Sequence, residues 1–382
     1  MKNLNHCFSI ADLKKLAKKS LPGVMFDYIE GGAEDEITIG RNRQVFSEYE
    51  FVPRVLRDVS TIDLTTTIQG AKSQMPIMCA PTAMSRTFHY QGEKAVALAA
   101  EKAGIPYSLS TVATTSIEDV AKISKGTKFF QIYAWRNADM VKNFILRCQQ
   151  NHYQGVMLAV DLPTLGNRER DLKNGHGHAR QHRLNILKGA LRHPKWFYRF
   201  LTSPPLVLAN MVEFLPYGGD AAKAMDTVNQ QFDASVNWED AAEIKKMWGG
   251  PFMLKGIQSV ADAKLAVEMG ASGIILSNHG GRQLDGAPPA FSLLADVKAE
   301  VGDALEIYID GGIRRGSDVI KAIALGATAC LIGRPYLYGL VAGGEAGVSR
   351  ALEIFRTEME RVMKLIGCDS ISKLSPEYVA KL

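Results

Sequence analysis

From residue 76 onward, two patterns alternate along the chain. Short apolar runs rich in β-branched residues are separated by longer stretches whose apolar positions recur at helical spacing. The short runs predict strands at 76–80, 107–110, 128–133, 155–161, 252–255, 273–277, 305–310 and 329–332. The longer stretches predict amphipathic helices at 92–103, 117–124, 138–150, 259–269, 290–301 and 317–325. Gly104, Gly270 and Gly326 follow three of them, where a helix ends in a left-handed turn. The strands are continuously apolar, which predicts a parallel sheet covered on both faces. Eight such strands with helical crossovers predict a closed (β/α)8 barrel of the TIM type. A dinucleotide-binding open sheet would carry a Gly-x-Gly-x-x-Gly turn after a strand. No strand here is followed by one.

All 382 residues read as one domain. Residues 76–169 and 237–366 form the barrel, and 1–75 form a helical N-terminal extension. Residues 170–236 form an insertion between the fourth and fifth strands, too long for an ordinary connection. Residues 1–19 read as an amphipathic first helix rather than a signal peptide. No segment is long and apolar enough to span a membrane. The nearest, 204–217, is short and broken by Pro204, Pro205, Glu213 and Pro216.

Composition adds a compartment and a surface. With 46% hydrophobic and 22% charged residues, the chain is soluble and globular. Cys7, Cys79, Cys148, Cys330 and Cys368 are scattered, which fits a reducing cytoplasmic setting with neither disulfides nor a metal site. The net charge of +5 is mild, but its distribution is not. From Leu172 to Val212 there is no Asp or Glu. That stretch holds Lys173, Arg180, Arg183, Lys188, Arg192, Lys195 and Arg199, with His176, His178, His182 and His193. Trp196, Phe197, Tyr198 and Phe200 lie among them. A basic, aromatic-rich segment of this kind suits an anionic membrane surface. No nucleic-acid-binding motif accompanies the charge, so nucleic acid is not expected as a partner.

The strand ends carry the chemistry. Their C-terminal residues include Thr82, Ser110, Gln131, Tyr133, Asp161, Lys255, His279, Asp310 and Arg334, on the face where such barrels place active sites. Ser277-Asn278-His279-Gly280-Gly281-Arg282 puts a proton acceptor and an anion clamp on one glycine-rich loop. That pairing points to an acid with a removable proton near its carboxylate. Asp310-Gly311-Gly312-Ile313-Arg314-Arg315-Gly316 and Gly333-Arg334-Pro335 follow the last two strands, the usual phosphate position of this barrel. Barrel geometry alone leaves open whether the phosphate belongs to a substrate or a cofactor.

These residues resemble those of the FMN-dependent α-hydroxy-acid oxidases and dehydrogenases, over nearly the whole chain. The matching pieces are Phe26-Asp27-Tyr28, Gly32-Ala33-Glu34-Asp35, Ala80-Pro81-Thr82-Ala83-Met84, Phe129-Phe130-Gln131-Ile132-Tyr133, Val160-Asp161 and Leu254-Lys255-Gly256. The loop 277–285, Asp310-Gly311-Gly312 and Gly333-Arg334-Pro335 complete them.

The resemblance implies FMN as cofactor and a role for each matching residue. Pro81, Thr82, Ala83, Ser110, Gln131 and Ser277 belong to the flavin site. Lys255 stabilises the reduced ring. Asp310, Gly312, Arg314, Gly333 and Arg334 hold the ribityl chain and phosphate. Tyr28, Arg168 and Arg282 bind the substrate carboxylate, and Tyr133 faces its hydroxyl. His279 is the base, oriented by Asp161. The reaction implied is oxidation of a small L-2-hydroxy acid, L-lactate first, by a homotetramer.

Departures from the family pattern bear on acceptor and substrate. Val112 stands where plant glycolate oxidases have tryptophan, and Ala159 where many members have threonine. Ala83 leans toward oxygen as acceptor. His193-Pro194-Lys195-Trp196 and 232–238 resemble respiratory lactate dehydrogenases, which points to a quinone or other respiratory acceptor. That reading adds peripheral contact, through 172–212, with the inner face of the cytoplasmic membrane. An oxidase making hydrogen peroxide is the nearest alternative, and an FMN-dependent barrel isomerase a remoter one. A phosphate-binding barrel without redox chemistry is the third.

Overall fold

The computed structural model describes residues 4–175, 185–186, 189–215 and 228–382. Eight parallel strands close into a barrel. They are β1 (Ile77–Cys79), β2 (Tyr107–Ser110), β3 (Lys128–Tyr133), β4 (Gly155–Ala159), β5 (Phe252–Ile257), β6 (Gly273–Leu276), β7 (Glu306–Ile309) and β8 (Ala329–Ile332). Each pairs with its neighbour in sequence, and β8 pairs with β1 to close the ring. The predicted (β/α)8 class is the observed one.

The strand bounds differ from the sequence pattern by one residue at β1, β6 and β7, and by two at the ends of β4 and β5. β4 stops at Ala159 rather than 161, because Asp161 leaves the ladder. β5 runs on to Ile257, with a shift of register between Lys255 and Ile257. Gly256, at φ 111°, sits in that shift.

The six predicted helices are present at Gly92–Ala103, Ile117–Ile123, Ala138–Gln150, Val260–Glu268, Ala290–Val301 and Gly316–Ala324. Helix Trp238–Trp248 leads into β5, capped by Asn237 through its side chain. The long helix Arg334–Ile366 ends the barrel and bends at Gly343 and Gly344. Met78, Phe129, Met157, Met253, Ile275, Tyr308 and Leu331 fill the barrel's interior. A hairpin of Thr66–Ile68 and Ala71–Ser73 adds Ile68 to that core. At its turn, Gln69 donates to the Ser272 carbonyl and the Tyr308 hydroxyl. The opposite, C-terminal end is left to the loops.

The N-terminal extension packs helix Ile10–Lys18 against the long C-terminal helix. Helices Gly23–Glu30 and Ile37–Gln44 then reach the loops at the C-terminal end of the barrel. Asp285 accepts from the backbone N–H groups of Ile37 and Thr38, placing a carboxylate at a helix N-terminus. Asn42 and Asn278 exchange a pair of amide hydrogen bonds at 2.8 Å.

In the insertion, helix Pro194–Thr202 has no buried residue. Trp196 donates to the Thr87 carbonyl at 3.1 Å and stacks on Phe200. Tyr198 and Leu201 stay exposed, at 64% and 63%. Residues 228–233 return to the barrel mouth, where Arg136 N–H donates to the Gln231 carbonyl. His176, His178, Arg180, His182, Arg183 and Lys188 of the basic run lie outside the described residues, as do Pro216 and Tyr217. Among the described residues, no helix is long and apolar enough to cross a membrane.

Candidate active site

The barrel's C-terminal mouth holds a cavity lined from every side. Tyr28 comes from the extension and Pro81, Thr82 and Ala83 from the loop after β1. Gln131 and Tyr133 end β3, and Arg168 follows β4. Lys255, His279, Arg282, Asp310, Gly312, Arg314, Gly333 and Arg334 complete the ring. Of the residues singled out in the sequence, only Ser110, Asp161 and Ser277 stand behind this lining. Each touches a residue that is part of it.

Asp161 accepts from His279 Nδ1 at 3.1 and 3.0 Å. Its side chain is 1% exposed. Burial alone would raise the carboxyl's pKa, but His279 and then Lys255 outweigh this and hold it below the ordinary value. An ionised carboxylate can only accept, so Nδ1 carries the hydrogen and Nε2 is the nitrogen free to take a proton. His279 itself sits at φ 58°, a left-handed turn that a non-glycine residue seldom adopts.

Lys255 is 4% exposed and forms a 2.7 Å ion pair with Asp310. It also donates to Ser277 Oγ at 2.9 Å. Burial pushes its pKa down, while Asp310 and Asp161 push it up more strongly, so the ammonium stays charged. Ser277 Oγ accepts from the His279 N–H as well, tying the lysine to the histidine loop.

Two guanidinium groups face the same space. Arg168 is pushed down to about 10 by burial and then by the charge of Arg282. Two adjacent, partly buried cations favour an anion between them. Arg282 lies over the Tyr28 ring at 4.8 Å, with Nη1 donating to the carbonyls of Tyr28 and Gly31. One prong of the expected carboxylate fork is therefore already engaged by backbone. Arg334 is engaged more fully. It donates to the carbonyls of Ile29, Gly280 and Gly31, and burial, then Arg282 and Arg314, lower it to about 10.

Several contributors were given no role of their own from the sequence. A Cβ on Gly256 would sit 2.7 Å from Asp161 Cγ, so this glycine makes room for the carboxylate. Gln283 donates to the carbonyls of Asp161 and Thr164 and accepts from Gly166 N–H and Arg168. It clamps the loop after β4 to the loop after β6. Phe232 brings the insertion back over the site, edge-on to Tyr133 at 5.3 Å and stacked on Trp135. Val228 and Asn229 line the cavity beside it.

The donor set fits a flavin mononucleotide. Gln131 Nε2 and Asp310 Oδ1 are buried and have no hydrogen-bond partner, though both residues line the cavity. Ser110 Oγ donates to Gln131 Oε1 at 3.1 Å, which fixes the amide and leaves its N–H groups for a ligand. A buried donor and acceptor left without partners cost about 1–3 kcal/mol each, so a polar ligand that pairs both restores that cost. At Gly333 a Cβ would make ordinary van der Waals contact, 3.8 Å from Ala80 and Thr82.

Comparison with known proteins agrees. A family described as FMN-dependent dehydrogenase matches residues 17–381. A Mycobacterium tuberculosis protein named "Putative L-lactate dehydrogenase" is 44% identical, over 100% of this chain and 91% of its own. Glycolate oxidase of Spinacia oleracea is 40% identical, over 97% and 95%. The crystal structure of the monotopic membrane protein (S)-mandelate dehydrogenase superposes with a TM-score of 0.94 at 38% identity. It covers 99% of this chain and 100% of that one. The isomerase and redox-inactive alternatives are thereby set aside. The chain belongs to the FMN-dependent dehydrogenases, flavoproteins that oxidise 2-hydroxy acids.

Proposed function

We propose that this enzyme oxidises a small L-2-hydroxy acid, L-lactate first, to the 2-oxo acid and passes the electrons to a quinone or another respiratory acceptor. The observation that carries the reading is the pairing of His279, oriented by Asp161, with two partly buried guanidinium groups in one cavity. Arg168, Arg282 and Tyr28 hold the carboxylate, and Tyr133 meets the α-hydroxyl. Burial raises the Tyr133 pKa, so its hydroxyl stays protonated and can donate. His279 Nε2 takes the proton that the substrate gives up, and Asp161 stabilises the imidazolium that results. FMN, when bound, accepts the two electrons.

Pro81, Thr82, Ala83 and Gln131 line the flavin ring, with Ser110 acting through Gln131 and Ser277 through Lys255. Lys255 supplies a fixed positive charge in a dry site, where it stabilises the anionic reduced form most. Asp310, Gly312, Arg314, Gly333 and Arg334 hold the ribityl chain and phosphate. The insertion's basic, aromatic helix supports peripheral contact with the inner face of the cytoplasmic membrane. The monotopic character of the mandelate dehydrogenase relative supports it further. A homotetramer completes the reading.

Ala83 and the glycolate oxidase relatives favour a second reading, in which oxygen is the acceptor and hydrogen peroxide the product. The test is anaerobic bleaching of the yellow enzyme by L-lactate, glycolate and (S)-mandelate, followed by oxygen or a quinone. Bleaching by L-lactate with fast reoxidation by quinone and slow reoxidation by oxygen supports the dehydrogenase. Fast reoxidation by oxygen, with peroxide, assigns the oxidase.

A further inference from the structure

A second cavity, of about 1540 Å³, lies outside the barrel wall. It is lined by helix Gly92–Ala103, the long helix Arg334–Ile366 and helix Pro194–Thr202 of the insertion. Trp196, Phe200 and Tyr90 supply aromatic surface, and Arg86, Lys195 and Arg199 supply positive charge. Arg199 lies over the Tyr90 ring at 4.9 Å, and Arg86 donates to the Pro204 and Pro205 carbonyls. These contacts hold the insertion's helix beside the barrel with a space beneath it.

One residue belongs to both cavities. Phe88 lines this one and the His279 site, is buried, and packs its ring 6.0 Å from that of Tyr28. A single aromatic side chain is therefore shared by the two spaces.

We propose that this cavity is the acceptor site and takes the ring of a lipid-soluble quinone, an inference that rests on the acceptor reading above. Three observations favour that occupant. The aromatic lining suits a flat ring. The helix that lines the cavity also exposes Tyr198 and Leu201, an apolar surface suited to the lipid in which such a ligand dissolves. Lys195 and Arg199 on the same helix complement the anionic headgroups of that lipid. The reaction balances as a whole. The hydroxy acid loses two electrons and two protons, and the quinone gains both pairs and leaves as the quinol.

The test is photo-crosslinking of the FMN-loaded enzyme with an azido-quinone carrying a short isoprenoid tail. Label is expected in 86–91 or 194–206, displaced by the parent quinone and not by oxalate. Trp196→Ala combined with Phe200→Ala is expected to raise the KM for quinone on the order of tenfold. Anaerobic reduction by substrate and turnover with ferricyanide stay unchanged in that variant. Label on residues of the His279 cavity, or its displacement by oxalate, overturns the separate site and leaves the acceptor reading standing. Label that appears only when the oligomer is dissociated gives this face to a second copy of the chain and also overturns it. Absence of any quinone turnover overturns the acceptor reading and the site together.

Discussion

Gly256 and Asp161 occupy one space: a side chain on the first would lie where the carboxylate of the second stands, 2.7 Å from its Cγ. The glycine's φ of 111° is also closed to residues with a Cβ. Gly256→Ala is expected to move Asp161 off His279 while the barrel still folds. Anaerobic stopped-flow reduction should slow by about 10²-fold or more, with an unchanged circular dichroism spectrum. Full-rate reduction in this variant would mean that the carboxylate does not orient the base.

His279→Gln removes the proton acceptor and leaves the anion clamps and Lys255 in place. The protein should purify yellow, and bleaching by substrate should fall by about 10²–10⁴-fold. Reduction near the wild-type rate would remove His279 from the mechanism.

Lys255→Met leaves Asp310 and Asp161 without their shared cation. Weaker FMN retention is expected, measured by flavin release on dilution. The pH dependence has a defined sign. The lysine's folded pKa is raised, so the stability it contributes is complete at neutral pH. That contribution is lost only as pH rises beyond the ordinary lysine value of about 10.4. The difference between wild type and variant in denaturation midpoint should be flat through neutral pH and shrink above that value. A difference that shrinks on acidification instead would contradict the assignment.

Arg168, held down to about 10 by burial and by Arg282, loses its charge at a lower pH than an ordinary arginine, as does Arg334. The protonated form is the one that binds a carboxylate. Oxalate affinity should therefore hold steady through neutral pH and weaken as pH rises through about 10. Arg168→Met should bind oxalate weakly at every pH and show no such fall. An unchanged titration in that variant would assign the effect elsewhere.

The barrel was legible because its strands are buried on both faces and their apolar runs are unbroken. Lys255, His279 and Asp161 were legible as polar residues at the ends of such runs. Arg168 was not, since nothing in Asn167-Arg168-Glu169 distinguishes it from a solvated charge, and only the family resemblance singled it out. The roles of Gln283 and Phe232, which lie in segments that match the family, and of Asn42 were not read, for a different reason. Their roles exist only once segments far apart in sequence meet, as Asn42 meets Asn278 across 236 positions. The role of Gly256 depends on which side chain comes to lie against it, and spacing along one strand does not contain that.

The carbonyls of Ile29 and Gly31 are held by Arg334, some three hundred positions later, and that of Tyr28 by Arg282. These carbonyls at the end of helix Gly23–Glu30 find those partners only after synthesis has passed Arg334. Flavin capture is therefore expected only once the eighth strand and Arg334 are in place, and a product cut short before them is expected to be colourless however well its first half folds.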